Sequence, residues 1–222
     1  MGFEQLKIIS NSARDLNVHL CKNDFTIKKR MKHVFKMMLA CAMVIICADP
    51  LQAGDSEIAI IETTEGKMVL ELWPDIAPGT VENFKNLAKK GFYDETAFHR
   101  IIKGLLAQGG DPLTKDPSKE SSWGTGGPGY AIRAEFNQRP HQLGVISMTR
   151  TADPDSAGSQ FFICLGDAPQ FNGKFTCFGK LRTGAEVLRK IGETPVKTSA
   201  NGERSKPIKK VLIKSIKIRK TS

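Results

Sequence analysis

At 222 residues the chain is long enough for one well-cored domain with an appendage, and 40% hydrophobic against 25% charged residues is ordinary globular composition, which excludes disorder as the main state. The formal net charge of +10 comes with acidic residues interspersed through the chain, so the balance does not by itself indicate a nucleic-acid partner. Five cysteines, widely scattered, are not the framework of a disulfide-held scaffold.

Residues 31–53, MKHVFKMMLACAMVIICADPLQA, set Lys32 and Lys36 ahead of an apolar stretch from Met37 to Ala48 and end on small residues at Ala53. This is the layout of a secretory signal peptide, and the stretch is too short for a spanning helix, which needs about 20 apolar residues. The expectation is cleavage after Ala53, export (to the periplasm in a Gram-negative cell) and no stable membrane insertion afterwards; an uncleaved N-terminal anchor is the alternative. Residues 1–30 lack hydrophobic periodicity and read as a non-structural extension or as a start assigned upstream of Met31. The exported domain is then 54–222. Cleavage removes Cys21, Cys41 and Cys47, leaving Cys164 and Cys177 either as one bridge or as two buried thiols.

Within that domain, EIAIIETTEGKMVLELW holds two β-rich runs around Thr64, Glu65 and Gly66, which predicts a hairpin. APGTVENFKNLAKKG follows, with Val81, Phe84, Leu87 and Ala88 at helical spacing, Pro78 near the start and Gly91 past the last turn. It predicts an amphipathic helix closed by a glycine. The short runs FHRII, GYAIRAEF, GVISMT, SQFFICL and FTCFGKL, each bounded by Gly, Pro, Asn or Asp, read as strands. AEVLRKIG predicts a second helix. The C-terminal IKKVLIKSIKIRK largely alternates apolar and basic residues, as a half-buried strand does, so its charge reads as a solvent face and no nucleic-acid partner is expected. The predicted architecture is mainly β, a closed antiparallel barrel with two helices, because closure removes exposed strand edges.

GTGGPG at 124–129 satisfies G-x-G-x-x-G by letter, but KDPSKESSW precedes it and Pro128 falls inside it, so it is a glycine-rich turn without the strand and helix of a dinucleotide site. His99 and His141 have no Cys or carboxylate at ligand spacing, and neither a metal nor a cofactor is expected. Ser159 in SAGSQ is not on a nucleophile elbow, Cys164 ends an apolar strand, and His99 beside Phe98 reads as a packed core residue. Arg100 in FHRIIKGLLAQGGD is left. A guanidinium stays protonated and is costly to bury, so it needs either an acidic partner or a substrate.

FHRIIKGLLAQGGD, GTGGPGY, GVISMT, GSQFFIC and NGKFTCFGK, in this order and spacing, resemble the core motifs of the cyclophilin-type peptidyl-prolyl cis-trans isomerases from about Glu57 to Ile218. The resemblance implies an eight-stranded barrel capped by two α-helices. It implies isomerisation of Xaa-Pro bonds in proline-containing polypeptides, here assisting the folding of exported proteins; a monomer is expected. It places the catalytic arginine on Arg100. The substrate-binding positions fall on Leu105, Leu106, Gln108, Thr149, Arg150, Gln160, Phe162, Phe171 and Phe175. Lys103 stands where the family usually has proline, Leu105 where phenylalanine is common, Leu106 where many members have methionine, and Thr149-Arg150 where Ala-Asn is usual. Phe175 replaces a common histidine, and Gln170 a common tryptophan or histidine, the tryptophan being one that helps many members bind the cyclic peptide cyclosporin. These departures leave open a proline-peptide-binding chaperone module with little catalysis.

Overall fold

The structure, a computed structural model, describes residues 57–199 and 202–221; the expected leader at 31–53 and the extension at 1–30 lie outside the described residues. Strands β1 (Glu57–Thr63) and β2 (Gly66–Leu72) form the expected hairpin. The Thr63 hydroxyl accepts from the N–H groups of Glu65 and Gly66 and donates to the Gly66 carbonyl, closing the turn. Ala59 and Ile61 on β1, with Met68, Leu70 and Leu72 on β2, are buried at the period of two that a one-sided sheet requires.

Helix α1 (Pro78–Lys89) buries Val81, Phe84, Leu87 and Ala88, the face its spacing predicts. Proline is tolerated in the first turn because that N–H has no partner inside the helix. The N–H groups of Gly79 and Thr80 donate instead to the Glu135 carboxylate, at 3.0 and 2.8 Å, so the helix start is tied to a residue far along the chain. Gly91 follows the last turn at φ +67°, where an L side chain is strained.

The remaining elements are β3 (Thr96–Phe98), β4 (Arg100–Ile102), β5 (Leu106–Gly109), β6 (Val145–Met148), β7 (Phe161–Cys164), β8 (Cys177–Thr183), α2 (Ala185–Gly192), β9 (Val196–Thr198), β10 (Arg204–Pro207) and β11 (Val211–Lys220). The main sheet runs in the order β3-β11-β1-β2-β8-β6-β7-β5-β4. Its two end members follow one another in the chain with only His99 between them. Counted as one bent strand, whose first half pairs with β11 and second half with β5, they make an eight-stranded, nearly closed antiparallel barrel. The core holds Ile61, Leu70, Phe98, Ile146, Phe161 and Phe178. Phe84 ties α1 to it through ring contacts with Phe161 and Phe178, at centroid distances of 5.7 and 5.2 Å.

One expectation needs correction, and one hairpin had not been foreseen. GYAIRAEF is not a strand: Ile132 makes one isolated bridge to Ala157, while the N–H groups of Ala134 and Glu135 go to the side chains of Asp155 and Thr176. Tyr130 and Phe136 are exposed, so the run has no buried face to hold it in a sheet. The hairpin of β9 and β10, by contrast, was not expected, because its segments are short and polar. Cys164 and Cys177 are buried free thiols. Strand β6 lies between their strands, and two strand spacings, about 9–10 Å, exceed the roughly 4.4–6.8 Å between Cα atoms that a disulfide spans.

Candidate active site

Backbone register assembles the site. Arg100 on β4 lies opposite Gln108 on β5, Gln108 opposite Phe162 on β7, Phe162 opposite Ser147 on β6, and Ser147 opposite Cys177 on β8. Directly opposed residues share a face, so these five form one row across the barrel. Their chain neighbours Ile101, Ala107, Ile163 and Ile146 point the other way, into the core. One step along, Leu106 lies opposite Cys164 on the same face as Gln108.

The row is apolar at one end. Leu106, Val145, Phe162, Cys164 and Cys177 form a buried cluster with Leu105, Phe171 and Phe175 packed against it. The rings of Phe162, Phe171 and Phe175 meet edge to face, with centroids 5.3–5.7 Å apart, a favoured aromatic geometry. His141 stacks on Phe162 at 5.8 Å, its ring nitrogens 3.1 Å from Asn172 Oδ1 and from Ser147 Oγ. Burial holds its pKa below the usual histidine value, against the opposing effect of Asn172, so a neutral imidazole backs the cluster. No sequence pattern near His141 pointed to that place. Burial likewise pushes the Cys164 thiol up to about 12 and Cys177 to about 11, which leaves both protonated and unreactive.

At the polar end, Arg100 Nη1 donates to Gln108 Oε1 at 3.1 Å, and Gln108 Nε2 donates to Gln160 Oε1 at 3.0 Å. Gln160 Nε2 in turn donates to the carbonyls of Gly124 and Gly126, at 3.0 and 2.8 Å. That glycine-rich loop is gathered by the buried Asp111 carboxylate, which accepts from the N–H groups of Gly124 and Gly126. A Cβ on Gly126 would stand 2.1 Å from Asp111 Oδ1, which is why this position takes glycine. The loop is therefore a clamp for Gln160.

Thr149 lies just past β6 and donates its N–H to the Gln160 carbonyl at 3.0 Å. Arg150 lays its guanidinium 5.0 Å from the centroid of Phe175 and donates Nε to the Lys174 carbonyl at 2.9 Å, roofing that ring. The residues singled out in the sequence thus adjoin one another along the row and at its two ends. Two cavities of about 340 and 370 Å³ adjoin it, with Gln108 and Gly124 lining both. Among the described residues no group of three or more His, Cys, Asp or Glu is placed to hold a metal ion.

Besides His141, a second site residue has no signal in the sequence. Glu203, between β9 and β10, accepts from Arg100 Nε at 2.7 Å and from Nη2 at 2.8 Å. The guanidinium holds this carboxyl well below its usual range, at about 2.

Residues 58–218 match the family model for the cyclophilin type peptidyl-prolyl cis-trans isomerase/CLD. The chain belongs to this cyclophilin family. Peptidyl-prolyl cis-trans isomerase B of Bacillus subtilis is 44% identical over 132 residues, which cover 59% of this chain and 86% of that protein. A Helicobacter pylori peptidyl-prolyl cis-trans isomerase is 45% identical over 137 residues, covering 60% and 78% of the two chains. The crystal structure of a Cryptosporidium parvum cyclophilin-type isomerase, determined in the presence of the dipeptide Ala-Pro, has a TM-score of 0.65 and 33% identity, covering 74% of this chain and 99% of that one. The barrel with two helices is shared, and this cyclophilin is a peptidyl-prolyl cis-trans isomerase.

Proposed function

We propose that Arg100 and the Phe162 pocket are the two working parts of this isomerase, and that its substrates are proline-containing segments of exported proteins, met by a monomer. Amide resonance opposes rotation about an Xaa-Pro bond with a barrier of about 18–20 kcal/mol. No bond is broken, so a catalyst need only bind the twisted amide better than either planar isomer. In the twisted state the prolyl nitrogen regains its lone pair and becomes an acceptor. A guanidinium fixed beside it donates to that lone pair, while an apolar pocket holds the ring and keeps competing water away.

The observation that carries this reading is the single row in which only Gln108 stands between Arg100 and Phe162. Leu106, Phe162 and Phe171 would take the ring, with Phe175 and Leu105 at its edge. Gln108 and Gln160 hold the arginine, and the backbone at Thr149 and Arg150 would meet the peptide. No group with a pKa near neutrality is required. Arg100 has both the acidic partner and, on this reading, the substrate that its sequence context called for. Its guanidinium has five N–H groups. Glu203 and Gln108 take three and leave one on each terminal nitrogen.

The test is the isomerisation of a short Ala-Pro peptide followed by exchange NMR with purified protein. Accelerated exchange that is lost in Arg100→Ala supports the assignment; a peptide that shifts or broadens without faster exchange would instead support the binding-module alternative. The export reading rests on the layout of residues 31–53. It expects secreted material to begin at or near Gly54 on N-terminal sequencing, and a start at residue 1 or 31 would count against cleavage.

A further inference from the structure

We propose that Glu203 is a positioning residue for Arg100, fixing the direction in which the guanidinium presents its remaining donors. The proposal rests on the reading of Arg100 as the donor to the prolyl nitrogen. Arg100 Nε and Nη2 meet the two carboxylate oxygens of Glu203 in a parallel pair of hydrogen bonds, at 2.7 and 2.8 Å, while Nη1 meets Gln108 at 3.1 Å. A two-point contact of this kind orients the guanidinium plane as well as holding its position. With both anchors made, the two free N–H groups have one direction each.

Glu203 is itself held. Its backbone carbonyl accepts from both the N–H and the hydroxyl of Ser199, each at 2.8 Å, and Gly202 N–H donates back to the Ser199 carbonyl at 3.0 Å. The Ser205 hydroxyl supports the carboxylate. The hairpin that carries it is fastened to the 117–122 segment by the ion pair of Lys206 with Glu120, and Lys206 also stands 5.3 Å over the Trp123 ring. These contacts tie the arginine to a segment 103 residues further along the chain, beyond both Gln108 and Gln160.

Fixed direction is what the reaction demands of this donor. The prolyl nitrogen is neutral, and its lone pair emerges along one direction as the amide twists. A mobile guanidinium would meet it only in a fraction of its rotamers. The carboxylate stays ionised well below neutral pH, so the pair persists through the working range.

The experiment uses the full chain and measures kcat and KM on an Xaa-Pro peptide for wild type, Arg100→Ala, Glu203→Gln and Glu203→Asp, with the Arg100 Nε–H signal read by NMR. Glu203→Gln keeps the shape and loses the charge; Glu203→Asp keeps the charge and shortens the reach. The expected result is a fall in kcat of about tenfold in both variants, with KM within about twofold of wild type. The Nε–H signal is expected to broaden or move upfield. The proposal is overturned if kcat is unchanged in both, if Glu203→Asp alone retains the full rate, or if kcat rises because the carboxylate had been competing with substrate. A loss confined to KM also overturns it. If Arg100→Ala keeps the wild-type rate, the donor reading itself falls; if Arg100→Ala is inactive while Glu203→Gln is fully active, only the positioning role falls.

Discussion

The face of the barrel and the rim around it are held together by different means. Arg100, Gln108, Phe162 and Ser147 sit on strands whose backbone ladders set which residues stand side by side. The 124–129 loop, the segment from Pro169 to Phe175 and the turn between β9 and β10 are closed by local turns and are fixed in place by side chains, chiefly Asp111, Asn172 and Glu203. The departures from the family pattern follow that division. Lys103, Leu105, Thr149, Arg150, Gln170 and Phe175 all lie between strands, and Leu106 alone is on one, where leucine for methionine nearly conserves volume. A ladder position that changes side-chain type changes the row. A rim position can change while the row stays intact.

If that division is sound, the largest effect comes from the row. Arg100→Ala is expected to keep the fold, because the side chain lies outside the barrel core, and to lose about 10²–10³ in kcat, the usual worth of one preorganised donor. Circular dichroism and exchange NMR on the same sample check it, and a rate within a few-fold of wild type would break the assignment. Gln170, exposed on the turn Pro169–Phe171, tests the rim. Supplying the missing indole area with Gln170→Trp is expected to tighten cyclosporin by about ten- to a hundredfold, with little change in kcat. Nanomolar inhibition of the wild-type protein would show that another side chain replaces the indole.

Gly126→Ala probes the join between the two regions. Its Cβ would collide with the Asp111 carboxylate, the loop must shift, and Gln160 loses an acceptor. A fall in kcat of about three- to tenfold is expected, with Arg100 and the Phe162 cluster still in place. An unchanged rate would mean that the row needs no support from the loop.

The smallest effect on rate is that of pH. Arg100 does not titrate, Glu203 is ionised and His141 is neutral, so kcat is expected to be flat from about pH 6 to 8.5; a bell would point to acid-base chemistry. Stability behaves otherwise. Burial depresses the pKa of both His99 and His141, so below about pH 6.5 the unfolded chain binds more protons than the folded one. Stability is therefore expected to fall as pH drops through that value. The depressed carboxyl of Glu203 adds a further loss below about pH 4.5, where the unfolded acid protonates first. Thermal melts at pH 7.5 and 5.5 check the histidine contribution, and a higher Tm at the lower pH would contradict it.

Where the chain repeats a local pattern, its sequence was enough. The period of two in β1 and β2, the helical spacing of Val81, Phe84, Leu87 and Ala88, and the apolar stripe of AEVLRKIG each bury one face, and burial of that face is what selects the element. The sequence also singled out Arg100, since a permanent charge in an apolar run demands a partner wherever it lies. It misread GYAIRAEF, where apolar residues without a buried face resemble a strand, and it left open whether Cys164 could meet Cys177. Only the tertiary structure decided those points, along with the row itself, the histidine behind Phe162 and the carboxylate on Arg100. The row and the separation of the two thiols depend on which strands become neighbours when the barrel closes, and the others on side-chain contacts between segments far apart in the chain. Glu203 is polar, lies in a short hairpin and is 103 residues from the arginine it holds, so no local periodicity records the contact.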